Sequence, residues 1–413
     1  MDGDPGSERR PRHACTVLVI VAPGQGAQTP GFLGPWLESD VYASRLEWLS
    51  TVAGLDLAAH GTTSDADTIR DTAVAQPLLV ASALLASLEV FPHPADAFGK
   101  IGAVAGHSVG ELAALAGSRA ITAEQAMVLV RERGRAMASA AAATPTGMTA
   151  VLGGVREEVL DAIERHGLTA ANDNGPGQIV AAGTMEQLAA FAEDPPAKAR
   201  LRPLSVAGAF HTDHMAPAVD RVGSLATAVS VHDPRIPVIS NADGLMVHDG
   251  RDLLKRVVHQ ISRPVRWDLC LETMADLGVT GILEMPPAGT LTGIAKRALK
   301  GVATFALNTP DQLDDARAFC SEHGEGSLIN TTPTWRMVVS PAKGIFTMAE
   351  PAGAEGDMLA EGTTIGQVSS LRDEFPVWAV HGGTVVEWLV TDGDPVAPGQ
   401  PLLRLHPRHE DAE

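Results

Sequence analysis

Gly106-His107-Ser108-Val109-Gly110 decides how the chain is read. An apolar run over residues 101–105 leads into it, and an Ala-rich helical stretch over residues 112–116 leads out. This is the G-x-S-x-G pattern of a strand that turns sharply into a helix. A glycine on each flank lets the backbone bend without a Cβ clash. The serine Oγ is then held out of the turn, at the N-terminus of the following helix, where backbone N–H groups are free to meet a developing negative charge. Those are the requirements of a serine nucleophile in acyl transfer. A tight turn with a capping serine would carry the same five residues, so the rest of the chain has to separate the two readings.

The 413 residues are enough for two or three domains. Apolar content of 45% suits a sizeable core, and only 4% aromatics make that core one of Ala, Leu and Val. A net charge of −19 argues against nucleic acid and anionic membranes as partners. Cys15, Cys270 and Cys320 form neither a disulfide framework nor a metal spacing, which points to a reducing, cytoplasmic setting. Arg9, Arg10 and Arg12 precede an apolar run over residues 16–22, but the run is short and passes straight into Pro23-Gly24-Gln25-Gly26 with no convincing cleavage site. Residues 1–15 therefore read as a disordered extension and 16–22 as a first, buried strand. No run reads as long enough to span a bilayer.

A helical pattern covers residues 77–91, and Thr122 with Gln125 forms a capping box at the start of a long helix. Residues 143–205 read strand, helix, strand, strand, helix, strand, the order of a ferredoxin-like unit. The unit looks inserted, because α/β alternation resumes after it. The fold class expected is α/β: a hydrolase-like parallel sheet core over residues 16–142 and 206–323 around that ferredoxin-like subdomain. Residues 324–335 are linker-like. Residues 336–406 change to short β-type runs with many glycines and an internal repeat. Glu355-Gly356-Asp357-Met358-Leu359-Ala360-Glu361-Gly362 matches Asp392-Gly393-Asp394-Pro395-Val396-Ala397-Pro398-Gly399. Two such hairpin units closing face to face would make a small all-β sandwich or flattened barrel, followed by a tail over 407–413.

A serine nucleophile needs a base, an oxyanion hole and a group that holds the base in its working tautomer. His107, as Ser108's neighbour at a sharp turn, projects away from it. Of the 14 histidines, His211 in Gly208-Ala209-Phe210-His211 is the candidate, in a small-residue loop before a helix. Further motifs follow in order: Gly24-Gln25-Gly26-Ala27-Gln28, the serine motif with Glu111, Arg133-Gly134-Arg135-Ala136-Met137 and Asn174-Gly175-Pro176-Gly177-Gln178. After the His211 motif come Gln260-Ile261-Ser262-Arg263-Pro264-Val265-Arg266-Trp267 and Pro287-Ala288-Gly289-Thr290-Leu291-Thr292-Gly293.

This ordered set resembles the bacterial malonyl-CoA:acyl carrier protein transacylases, of the actinobacterial type, over roughly residues 16–323. The resemblance implies Ser108 as nucleophile, His211 as general base, and the backbone carbonyl of Gln260 on the other ring nitrogen of His211. It implies an oxyanion hole at the backbone N–H groups of Gln25 and Val109, Arg133 on the malonyl carboxylate, and a supporting role for Asn174. Phe210 would fill space near the α-carbon, which favours malonyl over methylmalonyl. A planar guanidinium suits a carboxylate because two parallel hydrogen bonds fix orientation as well as charge. The activity implied is a two-step transfer from malonyl-CoA to the phosphopantetheine thiol of acyl carrier protein, supplying fatty acid or polyketide synthesis, with no metal or redox cofactor. Lys296, Arg297 and Lys300 form either a docking patch for an acidic carrier protein or an ordinary cationic helix end.

A serine hydrolase or thioesterase shares the serine turn, but orders its triad serine, acid, histidine. No acid is clearly placed before His211, and Arg133 has no general role in ester hydrolysis. An inactive scaffold is opposed by the presence of Ser108, His211 and Arg133 together. Residues 336–406 resemble the biotinyl/lipoyl carrier (hammerhead) domains, in which a lysine at the turn between the halves takes the prosthetic group. That position falls on Arg372, whose guanidinium is protonated and a poor nucleophile, while Lys343 lies outside the motif. The expectation is no biotin and no lipoate. The domain then serves a further protein partner, oligomerisation or substrate positioning, or acts as a stabilising appendage.

Overall fold

The computed structural model describes residues 16–324 and 336–407, except 350–352, 355, 371, 372 and 381. The expected extension 1–15, most of the linker, Arg372 and the end of the tail lie outside the described residues. The chain divides into two compact units, Met1–Leu328 and Ile329–Glu413.

In the first unit the strands are β1 (Leu18–Ala22), β2 (Ile101–Gly106), β3 (Thr146–Gly153), β4 (Thr169–Asp173), β5 (Gln178–Thr184), β6 (Ala199–Pro203), β7 (Val238–Ile239), β8 (Met246–Val247), β9 (Val265–Arg266), β10 (Gly281–Glu284) and β11 (Ala303–Ala306). β1 and β2 are buried at every position, as strands of a parallel sheet covered on both faces must be. The main sheet runs β11-β10-β1-β2-β7-β8, parallel apart from β8.

Three helices bear on the site: α1 (Thr72–Val90), α2 (Gly110–Gly117) and α3 (Ala123–Ala143). α1 begins five residues before Pro77, where the helical pattern read from the sequence begins. The start is set instead by Asp71, whose carboxylate accepts from the Ala73 N–H at 2.7 Å, and Pro77 lies inside the helix. α1 also corrects the expectation that no run reaches membrane-spanning length. By length and composition it could cross a membrane, but most of it is buried in the core between the sheet and its neighbours. α3 opens with the Thr122–Gln125 capping box.

The second sheet runs β6-β3-β5-β4-β9. Its first four strands pair antiparallel in the spatial order of a β-α-β-β-α-β unit. β9, from beyond that segment, adds parallel to β4. A two-residue strand is too short to leave a period in the sequence.

The second unit has eight strands: β12 (Arg336–Val339), β13 (Gly344–Met348), β14 (Met358–Leu359), β15 (Thr363–Ser369), β16 (Glu374–Ala379), β17 (Gly383–Trp388), β18 (Pro395–Val396) and β19 (Pro401–Pro407). They form two antiparallel sheets, β12-β19-β17-β14 and β16-β15-β13-β18. Exchanging β12–β15 with β16–β19 turns one order into the other, so the sequence repeat is a structural repeat. The Gly356 N–H donates to Val385 O, and the Gly393 N–H to Phe346 O, each at 2.8 Å. One core built around Phe346, Ile365, Val368 and Leu402 is shared by both sheets.

Candidate active site

β2 ends at Gly106 and α2 begins at Gly110. A Cβ at Gly106 would run into the Gly110 backbone, and one at Gly110 into the Ala22 carbonyl of β1. Only glycine lets strand, helix and neighbouring strand approach this closely. Between them Ser108 adopts φ 50°, a left-handed conformation that a non-glycine residue holds only where its surroundings enforce it. Its Oγ lies 2.7 Å from His211 Nε2. His211 Nδ1 lies 2.6 Å from the Gln260 carbonyl oxygen. A carbonyl only accepts, so Nδ1 carries the proton and Nε2 is left to accept from the serine hydroxyl.

His211 is itself constrained. It has φ 61°, its N–H donates to Ile261 O at 3.2 Å, and the Thr212 hydroxyl ties the loop to Ala209 O at 2.7 Å. Burial first, then the charge of Arg133, pushes its pKa down to about 3. The ring is therefore neutral at pH 7 and able to take a proton.

Arg133 projects from α3 and is 1% exposed. At the adjoining Gly134 a Cβ would come within 2.8 Å of Thr72 O, so the missing side chain lets α3 close on α1. Arg133 Nη1 donates to Gln76 Oε1 at 2.6 Å, and Nη2 to Gln260 Oε1 at 2.9 Å and Ser108 Oγ at 3.3 Å. Its Nε has no hydrogen-bond partner among the described residues. Burial lowers its pKa to about 10, which leaves it charged at neutral pH. All its acceptors are neutral. A buried guanidinium beside a nucleophile, without an ion-pair partner among the described residues, is arranged for an anion that arrives with the substrate.

A second web lies behind these groups. Gln260 Nε2 donates to Glu111 Oε2 at 2.5 Å and to Asn241 Oδ1 at 2.9 Å. The Asn241 N–H donates to Glu111 Oε1 at 3.1 Å, and its Nδ2 to Gly106 O at 2.6 Å. The serine turn, the carbonyl that holds His211 and the side chain that holds Arg133 are thus tied together. Burial pushes the Glu111 carboxyl up to about 7. Sequence reasoning gave no role to Gln76, Glu111 or Asn241, although Glu111 stands inside the serine motif.

His107 turns away from Ser108. Its Nε2 lies 2.8 Å from Asn174 Oδ1, its ring meets Trp267 edge-on, and burial lowers its pKa. The backbone N–H groups of Gln25 and Val109 donate no hydrogen bond within the described residues, and Val109 stands at the N-cap of α2. Phe210 is buried next to His211.

Residues 19–321 match the family model of the acyl transferase domain. The chain belongs to the acyl transferase family. Among its relatives are the malonyl CoA-acyl carrier protein transacylases of Mycobacterium tuberculosis, 50% identical over 72% of this chain and 99% of the relative, and of Escherichia coli, 31% identical over 72% and 98%. The crystal structure of the M. tuberculosis acyl transferase is 49% identical with a TM-score of 0.71, covering 73% of this chain and 99% of that one. A malonyl-transacylase solved in complex with its type II polyketide synthase acyl carrier protein is 28% identical, with a TM-score of 0.67 over 73% and 99%. The family match ends at residue 321, so the C-terminal unit lies outside it.

Proposed function

We propose that this acyl transferase moves the malonyl group of malonyl-CoA to the phosphopantetheine thiol of acyl carrier protein through a malonyl ester on Ser108. The observation that carries the reading is the buried Arg133 guanidinium, without an ion-pair partner among the described residues, 3.3 Å from Ser108 Oγ. A hydrolase has no use for a cation there, whereas a malonyl group brings a carboxylate to meet it. The names of the relatives support the same substrate and carrier.

In the first half-reaction Ser108 Oγ attacks the thioester carbonyl while its proton passes to His211 Nε2. The imidazolium formed is stabilised at Nδ1–H by the Gln260 carbonyl, the orienting task an aspartate performs in other triads. The N–H groups of Gln25 and Val109 receive the oxyanion. CoA leaves as its sulfur takes the proton from His211. In the second half the carrier thiol gives its proton to His211 and attacks the ester carbonyl; the Ser108 Oγ–acyl bond breaks as His211 returns that proton to Oγ, and the malonyl group leaves on the carrier sulfur. Arg133 selects malonyl over acetyl, since an acyl group without a carboxylate leaves the buried charge with no ion-pair partner among the described residues. Phe210 limits space for the methyl branch of methylmalonyl, and Asn174 supports the turn through His107. Every step is assigned to side chains and backbone of this chain, with no cofactor, and in a cytoplasmic setting.

The C-terminal unit is read as a biotinyl/lipoyl-like fold that carries no biotin or lipoate and serves an interaction. Its two exchanged sheets support the likeness, and an arginine at residue 372 supports the lack of a prosthetic group. Intact-protein mass after co-expression with a biotin ligase tests this; a gain of one biotin overturns it.

The transfer is tested by intact-protein mass after mixing with malonyl-CoA, acetyl-CoA or methylmalonyl-CoA, then with acyl carrier protein. A malonyl adduct that is absent in Ser108→Ala and discharges onto the carrier is expected. An adduct cleared only to water would make the chain a hydrolase.

A further inference from the structure

On the face of the sheet beneath α1 and α2 lies a cavity of about 410 Å³, within the roughly 300–1,000 Å³ range of small-molecule sites. It exists because its walls are small. Ala83 of α1, Ala113 and Ala114 of α2 and Ala105 of β2 line it, with Leu84 and Phe91, and all six are buried. No carboxylate lines it. Its polar members are Ser87, Thr122, Arg119 and His232, and the rest of the lining is apolar.

The mouth is different. Arg119 and His232 line it and are exposed. Arg119 Cζ lies 5.9 Å from the Phe98 ring centroid, and Arg235 Cζ lies 6.0 Å from the same ring. Neither guanidinium has an ion-pair partner among the described residues. Arg119 at the mouth and Arg235 beside it, which does not itself line the cavity, thus share one aromatic ring at the entrance, in a protein of net charge −19.

We propose that this cavity binds an aliphatic carboxylate of medium chain length, its alkyl chain among the alanines and its carboxylate on Arg119 and Arg235. The chain chemistry follows from the lining, and the head group from the fork geometry that suits a guanidinium to a carboxylate. Its mouth at Arg119 stands beyond the C-terminal end of α2 and Ser108 before the N-terminal end, and none of Ser108, His211 and Arg133 lines the cavity. Its occupant rests against the helix that follows the nucleophile.

Calorimetric titration of the full chain with decanoate, decanol and acetate tests it. Decanoate is expected to bind at one site at least tenfold more tightly than decanol, which lacks the charge, and than acetate, which lacks the chain. The double variant Arg119→Gln/Arg235→Gln should weaken decanoate tenfold or more while leaving the malonyl adduct at Ser108 unchanged. Ala83→Leu should block binding by filling the cavity; should it fail to fold, the double variant on the exposed rim decides alone. Absence of decanoate binding, equal binding of decanol or acetate, or unaltered affinity in the double variant would each overturn the proposal.

Discussion

Arg133 is the residue at which the chemistry of the site is most exposed to test. Its guanidinium is held by Gln76 and Gln260, both neutral, so among the described residues it has no ion-pair partner until a carboxylate enters. In Arg133→Ala the proposed pair is never formed, and loss of one partner of a buried pair costs about 3–5 kcal/mol. The kcat/KM for malonyl-CoA should fall on the order of 100-fold or more, while the rate with acetyl-CoA holds or rises; equal losses for both substrates would remove Arg133 from selectivity. Titration gives a second test. His211 has its pKa lowered from 6.5 to about 3. The folded state therefore disfavours the protonated ring, and its stabilising contribution is present above 6.5 and lost as pH falls towards 3. The acid limb of kcat/KM should accordingly lie well below 6.5. Glu111 shifts the other way, to about 7, and its ionisation adds a negative charge that competes with malonyl for Arg133. KM for malonyl-CoA should rise above pH 7 and lose that rise in Glu111→Gln; an unchanged profile in the variant would assign the limb elsewhere. Ser108, His211 and Arg133 could be singled out because motif and chemistry coincide at each. Gln76, Glu111 and Asn241 could not, because a hydrogen bond between residues 57 to 149 positions apart leaves no period or spacing in the sequence.

At the scale of elements, the strand–turn–helix from β2 to α2 depends on steric room more than on propensity. Gly110 packs against the Ala22 carbonyl, and a methyl group there must push α2 away from β1. Overpacking of this kind costs about 1–3 kcal/mol. Gly110→Ala should lower the denaturant midpoint correspondingly and slow malonyl adduct formation, since Ser108 and the free Val109 N–H ride on the same turn. A variant with wild-type stability and rate would show that the turn can relax. Elements with a strong local signal were legible: the two flanking glycines, the Thr122 capping box, and the helix–strand succession of the inserted unit. α1 was legible only in part. The helical pattern read from the sequence begins at Pro77, whereas the Asp71 cap and burial on all sides extend the helix towards the N-terminus. β8 and β9 escape sequence reading because two residues cannot express an alternation, and their pairing is decided by the tertiary packing.

For the whole molecule, the decisive feature is that two units have separate hydrophobic cores. The first is dominated by Ala, Leu and Val around the main sheet, the second by side chains from both halves of the internal repeat. The repeat was readable from its turn glycines and the apolar positions after them. The exchange of strands between its sheets was not, because the repeat specifies two equivalent halves without saying which edges they share. Separate cores imply separate melting. Phe346 is fully buried in the second unit, its ring tilted against that of Trp388 with centroids 6.2 Å apart. Phe346→Ala removes that ring and should cost about 3–5 kcal/mol, lowering one calorimetric transition while the other keeps its midpoint. Because no proposed catalytic contact runs through this core, malonyl adduct formation at Ser108 should keep its rate at temperatures where the second unit of the variant has melted. A matching fall in both transitions, or a slowed acylation, would instead make the C-terminal unit part of the working transferase, with its core supporting the site as well as itself.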